Sequence, residues 1–290
     1  MSKNAVYKFN REHIKKSDMI GGYGAGEELV KKQLKVDLKE MYFDGVEKIF
    51  YQAQDNVTPM VSVLKETFQS LWDDTRTQYS WTLPDYFVTD LRPIETVEIT
   101  VNPFGQMPIK LVAKAIVPSG RNTRLGVSVI HSVDGYVARE LVSRCKYDLD
   151  KCLSMLVKID EFLMLNPDHQ DSKPHAIGGI ISHTVIESLA KLSDDYLEPY
   201  SATELRKMRA HLIDILDNES FPIKPIHDGF GCHPNYDTIM ARHYSNIMAD
   251  IAGGHLLESI VEEITGKKMQ RIVGDLTEEM VRENSFYALS

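Results

Sequence analysis

The sequence predicts an α+β fold, mainly helical with a small antiparallel sheet, and three observations carry that reading. Helical apolar spacing runs through residues 27–53 and returns over 134–165, 176–197, 203–217 and about 237–251. From about Tyr79 to Val117 the texture changes to β-branched and aromatic residues punctuated by Pro and Gly. No internal repeat, low-complexity run or Gly/Ser/Pro linker marks a boundary, so helices and strands belong to one folded unit.

Taken in order, Leu29, Leu34, Leu38, Met41 and Ile49 keep near-helical spacing, and 58–72 continue in the same style after Pro59, so a break is expected near 54–57. Trp81, Tyr86–Val88, Val97–Val101 and Ile109–Val117 read as antiparallel strands. Phe221–Ile226 is a short apolar strand that stops at His227-Asp228-Gly229, and another helix follows it.

Composition narrows the function classes. With 43% hydrophobic and 26% charged residues over 290 positions, the chain can bury a core and is no disordered tail. No apolar stretch approaches the roughly 18–20 residues of a membrane helix, and the N-terminus has no apolar signal core. Cys145, Cys152 and Cys232 form neither a disulfide framework nor a CxxC pair, so a reducing cytoplasm is the expected home. The 33 basic and 42 acidic residues leave −9, which argues against coating nucleic acid by bulk charge. The distribution is uneven: residues 1–16 and 106–146 are basic, whereas 148–219 hold seven Lys/Arg against fourteen acids. A polyanion would meet the first two segments, although such swings also occur on ordinary solvated faces.

Three strings carry candidate chemistry. The cluster Gly21-Gly22-Tyr23-Gly24-Ala25-Gly26 invites a dinucleotide-loop reading and fails it, because Glu27 or Leu29 stands where the third glycine of GxGxxG belongs. Walker A fails too, since Glu27 follows Gly26; alone the cluster is a helix break or tight turn. Upstream of it, Arg11 and Lys15 sit at i, i+4, so a helix would present two cations that can grip one triphosphate, or simply a solvated basic face. In Ile226-His227-Asp228-Gly229-Phe230-Gly231, a carboxylate at a strand reversal is held as a metal ligand for phosphoryl transfer must be; a structural Asx turn is the plainer alternative. In Ile130-His131-Ser132-Val133-Asp134-Gly135, a His leaves an apolar run at the start of a helix that Asp134 could cap. The other histidines show no HExxH context, which argues against zinc catalysis.

In this order the strings resemble the C-terminal part of the single-subunit RNA polymerases of bacteriophages and mitochondria. Arg11, Lys15, Tyr23 and Gly24 stand at the spacing of that family's motif B, and His227-Asp228-Gly229-Phe230-Gly231 resembles its motif C. His131-Ser132-x-Asp134-Gly135 is similar to a palm string of the family, with Ser128 where an Asn is usual, and 284–290 look like its short aromatic C-terminal foot.

The resemblance implies a right-hand polymerase with partial fingers (1–130, motif B) and palm (131–290, motif C), and a helical insertion at about 148–205. It implies that Arg11 and Lys15 bind the nucleotide triphosphate, and that Tyr23 and Gly24 lie beside the ribose and template base. Asp228 would hold catalytic Mg2+, with His227 positioning the site and His131 touching the nucleotide or new base pair. The family's other metal-binding Asp belongs to motif A, upstream of motif B, and residues 1–10 contain no acid. The chain is therefore expected to be inactive alone and to resemble the smaller subunit of a split, heterodimeric phage polymerase, whose partner supplies motif A and shares two Mg2+ ions. DNA template, RNA product and ribonucleoside triphosphates would be its ligands, and host cytoplasm its location. The rival reading is a non-catalytic binding or assembly module with a polymerase-like fold; a DNA polymerase fragment ranks third.

Overall fold

The computed structural model describes residues 14, 16–17, 27–39, 42–53, 67–68, 70–71, 73, 75–92, 94–102, 105, 108–116, 123–167, 169, 175–226, 229–271 and 277–283. In chain order its elements are α1 (Glu27–Leu38), α2 (Val46–Ala53), β1 (Tyr79–Thr82), β2 (Val88–Leu91), β3 (Ile94–Val101), β4 (Ile109–Ile116) and α3 (Thr123–Cys145). There follow α4 (Leu149–Leu165), α5 (His183–Leu189), α6 (Ala202–Leu216), β5 (Lys224–Ile226), β6 (Gly229–Gly231), α7 (Asp237–Gly253), α8 (Leu256–Thr265) and α9 (Glu278–Glu283). The fold is α+β: helices dominate, and among the described residues the strands form three two-stranded antiparallel ladders. The chain divides into two compact units, Met1–Thr77 with Pro93–Val129 and Gln78–Arg92 with Ile130–Ser290.

In the first unit, Val30, Leu34 and Leu38 recur every four residues, so α1 turns one apolar stripe onto Val46 and Phe50 of α2. The break between these helices lies at 39–45, earlier than apolar spacing suggested; the expected break at 54–57 lies outside the described residues. Lys39 and Gly45 both have positive φ (48° and 94°), and a helix cannot continue through that backbone. β3 and β4 pair from Ile94↔Ile116 to Val101↔Ile109. Ile99, Ile109, Leu111 and Val112 remain exposed on this ladder.

The second unit contains the β1–β2 hairpin, so the strands expected as one group are separate ladders. Tyr79, Trp81 and Leu83 alternate inward and are buried, as a half-buried strand requires. Thr82 donates its N–H and hydroxyl to the Glu263 carboxylate (2.7 and 2.8 Å), which ties the hairpin to α8. Opposite, the Arg139 guanidinium of α3 donates to Asp85 (2.6 Å) and lies 4.2 Å from the Phe87 ring centroid.

A helical core of Cys152, Met155 and Ile159 from α4, Ile186 and Leu189 from α5, and Leu205, Met208, Leu212 and Ile215 from α6 fills the acidic region. The helix expected over 176–197 is interrupted. Gly178 and Gly179 have positive φ, and a Cβ on Gly178 would meet the Leu256 backbone at 2.9 Å. The backbone thus packs tightly against the start of α8, with the His255 N–H donating to the Gly178 carbonyl at 2.8 Å.

Candidate functional site

The string His131–Gly135 lies in the middle of α3 rather than at a helix start. Leu125, Val129, Tyr136 and Leu141 are all buried at helical spacing, so the Val/Ile-rich tract before His131 is helix, and Asp134 is interior rather than a cap. Burial on one stripe overrides the weak helix propensity of β-branched residues. His131 and Asp134, three positions apart, are exposed on neighbouring parts of the helix surface. Ser132 accepts a hydrogen bond from the fully buried Trp81 indole Nε1 (2.9 Å), which helps fix how α3 presents them.

β5 and β6 pair Lys224↔Gly231, Pro225↔Phe230 and Ile226↔Gly229, so the connection is two residues long, as in the tightest hairpins. Those two residues, His227 and Asp228, lie outside the described residues, as do Arg11, Lys15, Tyr23 and Gly24. Phe230 of the hairpin places its ring 6.4 Å from Tyr244 of α7. The Tyr244 hydroxyl has its pKa raised, first by burial and then by the negative charge of Asp134.

Sequence reasoning missed a second polar centre. Glu140 and Arg144, four residues apart on α3, are both buried and pair at 2.8 Å; Arg144 also meets Asp250 of α7 at 3.0 Å. Burial opposes the Arg144 charge, but the two carboxylates more than offset it and hold its pKa above the usual value. Glu140 also accepts from the Ser182 hydroxyl (2.7 Å) and the His183 N–H (2.8 Å), so it caps α5, whose own Ser182 makes no side-chain cap. Asp250 takes a second cation, Arg282 of α9, at 2.8 Å, and Arg282 reaches Glu278 at 2.7 Å.

Beside this network a cleft of about 530 Å³ is lined by, among others, Arg144, Lys207, His211, Asp250, Glu278 and Arg282. Its arginines are already paired with carboxylates, so the wall is close to self-neutralised. His211 and His243 are pushed to low pKa, His243 to about 3, first by burial and then by Arg144. Both stay neutral around pH 7.

Next to it lies the one group among the described residues with metal-ligand geometry: Cys152, His183 and Glu187. His183 Nε2 is 3.3 Å from Glu187 Oε1 and 3.9 Å from Cys152 Sγ, while its Nδ1 is 3.1 Å from His211 Nε2. The i, i+4 spacings Glu140/Arg144 and His183/Glu187 were legible signals on predicted helices; that Cys152 and Asp250 join them was not. No protein-family model matches this chain, and no curated protein is significantly similar to it.

Proposed function

We propose that this chain is a subunit of a DNA-dependent RNA polymerase, carrying part of the fingers and palm and working with a second chain that carries the other metal-binding carboxylate. The observation that carries the reading is the ordered set of motif strings, with Phe230 of the 229–231 string near Tyr244, whose hydroxyl also feels the charge of Asp134. The β5–β6 pairing on either side of His227-Asp228 in the sequence, and an exposed His131 on α3, suit a palm that holds metal and nucleotide.

In this reading Asp228 and the partner's Asp hold Mg2+, which would stabilise the attacking 3′-oxygen and the leaving pyrophosphate oxygen. The chain's own work is positioning. Arg11 and Lys15 neutralise the triphosphate, Tyr23 and Gly24 sit at the ribose, His227 fixes the hairpin tip, and His131 reaches the nucleotide or nascent pair.

RNA primer extension on a DNA template with Mg2+, by the chain purified with whatever co-purifies from its natural cell, tests this directly. Wild-type complex should extend the primer, and Asp228→Ala complex should not, by at least about 10³-fold. Extension that survives Asp228→Ala sinks the assignment. Tyr23→Phe should relax discrimination against deoxynucleotides in the same assay.

A further inference from the structure

We propose that Cys152, His183 and Glu187 form a zinc site that links α4 to α5 and leaves one position for water, separate from any magnesium used in nucleotidyl transfer. His183 and Glu187 are one turn apart on α5 and face the same way, and Cys152 comes from the first turn of α4. The three donor atoms lie within 4.8 Å of one another. Around a tetrahedral zinc, bond lengths of about 2.3 Å to sulfur and 2.0–2.1 Å to nitrogen or oxygen place S and N about 3.6 Å apart and N and O about 3.4 Å apart. The S–N and N–O distances here, 3.9 and 3.3 Å, are close to those values, and the S–O pair lies within 4.8 Å.

The surroundings supply the groups that orient such ligands. His183 Nδ1 faces His211 Nε2 at 3.1 Å, a distance at which Nδ1–H can donate to His211 and leave the His183 Nε2 lone pair for a metal. Glu187 Oε1 accepts the Asp148 N–H at 2.7 Å and Oε2 meets Lys151 Nζ at 3.2 Å, so the carboxylate is held from the α4 side. Thiolate with imidazole selects zinc over magnesium or calcium, which prefer all-oxygen shells. Among the described residues no fourth protein ligand joins the group, so water would complete the shell.

Binding must displace the thiol proton, and the release of that proton accompanies each ion bound.

Cobalt(II) titration of the purified full-length chain, followed by zinc competition, reads the site. The expected result is one Co2+ per chain with a thiolate charge-transfer band that zinc abolishes. Cys152→Ala should lose the band and Glu187→Gln should weaken it, while Cys145→Ala and Cys232→Ala keep it. The band's midpoint should shift to lower metal concentration as pH rises. A wild-type chain shown to be folded by circular dichroism that gives no band overturns the proposal, as does a band that survives Cys152→Ala. If Cys152→Ala does not fold, Glu187→Gln decides: unchanged cobalt affinity in that variant also overturns it.

Discussion

At the scale of single residues, stability concentrates in the buried charges of α3. Glu140 is fully buried and serves Arg144, Ser182 and the His183 N–H at once, so its removal leaves a buried guanidinium and two donors short of a partner. Glu140→Ala should cost about 3–5 kcal/mol in urea unfolding. Tyr136 is the contrast: its buried hydroxyl has no hydrogen-bond partner among the described residues, so Tyr136→Phe should be neutral or stabilising in the same experiment. His243 supplies a pH dependence. Its folded pKa of about 3 lies below the ordinary 6.5, so the unfolded chain binds the proton first as pH falls. The stability it protects is complete above about pH 6.5 and is lost between there and pH 3, with a slope approaching ~1.4 kcal/mol per pH unit. Thermal melts across that range should show the loss, and His243→Leu should flatten it. Neither Glu140 nor His243 was legible as buried, because what surrounds them is far away in sequence: Ser182 and His183 at Glu140, and Arg144 of α3 near His243.

At the scale of elements, helix ends and ladder faces set which parts hold. The Ser201 hydroxyl and the Glu204 carboxylate cap α6 reciprocally, and Glu204 also accepts the N–H groups of His175 and Ala176. Ser201→Ala should cost about 0.5–2 kcal/mol, and Glu204→Ala more, in chemical denaturation. The β3–β4 ladder has little to protect it, since β4 is exposed along nearly its whole length. Its amides should exchange with solvent well before those of α4 and α6, whose inner faces form the helical core. The sequence texture revealed these strands because their β-branched residues crowd one stretch between Pro and Gly. It hid the true start of α3 because the same residue types there are drawn into a helix by burial. It hid the 39–45 break because apolar spacing ran through it, with Gly45 the one available sign.

At the scale of the whole molecule, the α+β class follows from hydrophobic periodicity, but the path of the chain does not. The hairpin of 78–92 belongs with residues 130–290, although residues 93–129 lie between them in sequence. That association rests on Trp81 against Ser132, Thr82 against Glu263 and Asp85 against Arg139, pairings that no local pattern announces. A fragment beginning at 130 should therefore be proteolysed faster than the full chain, and a supplied 78–92 peptide should restore resistance. Of the candidate site, the strings were readable because their chemistry is local, whereas the approach of Phe230 to Tyr244 required the fold. The Trp81 indole also turns the packing of α3 into an optical signal. It is buried and bonded to Ser132, the residue next in sequence to the exposed His131. With Trp72 changed to Phe, Trp81 is the one tryptophan left, and its emission wavelength would report any change in how α3 is packed.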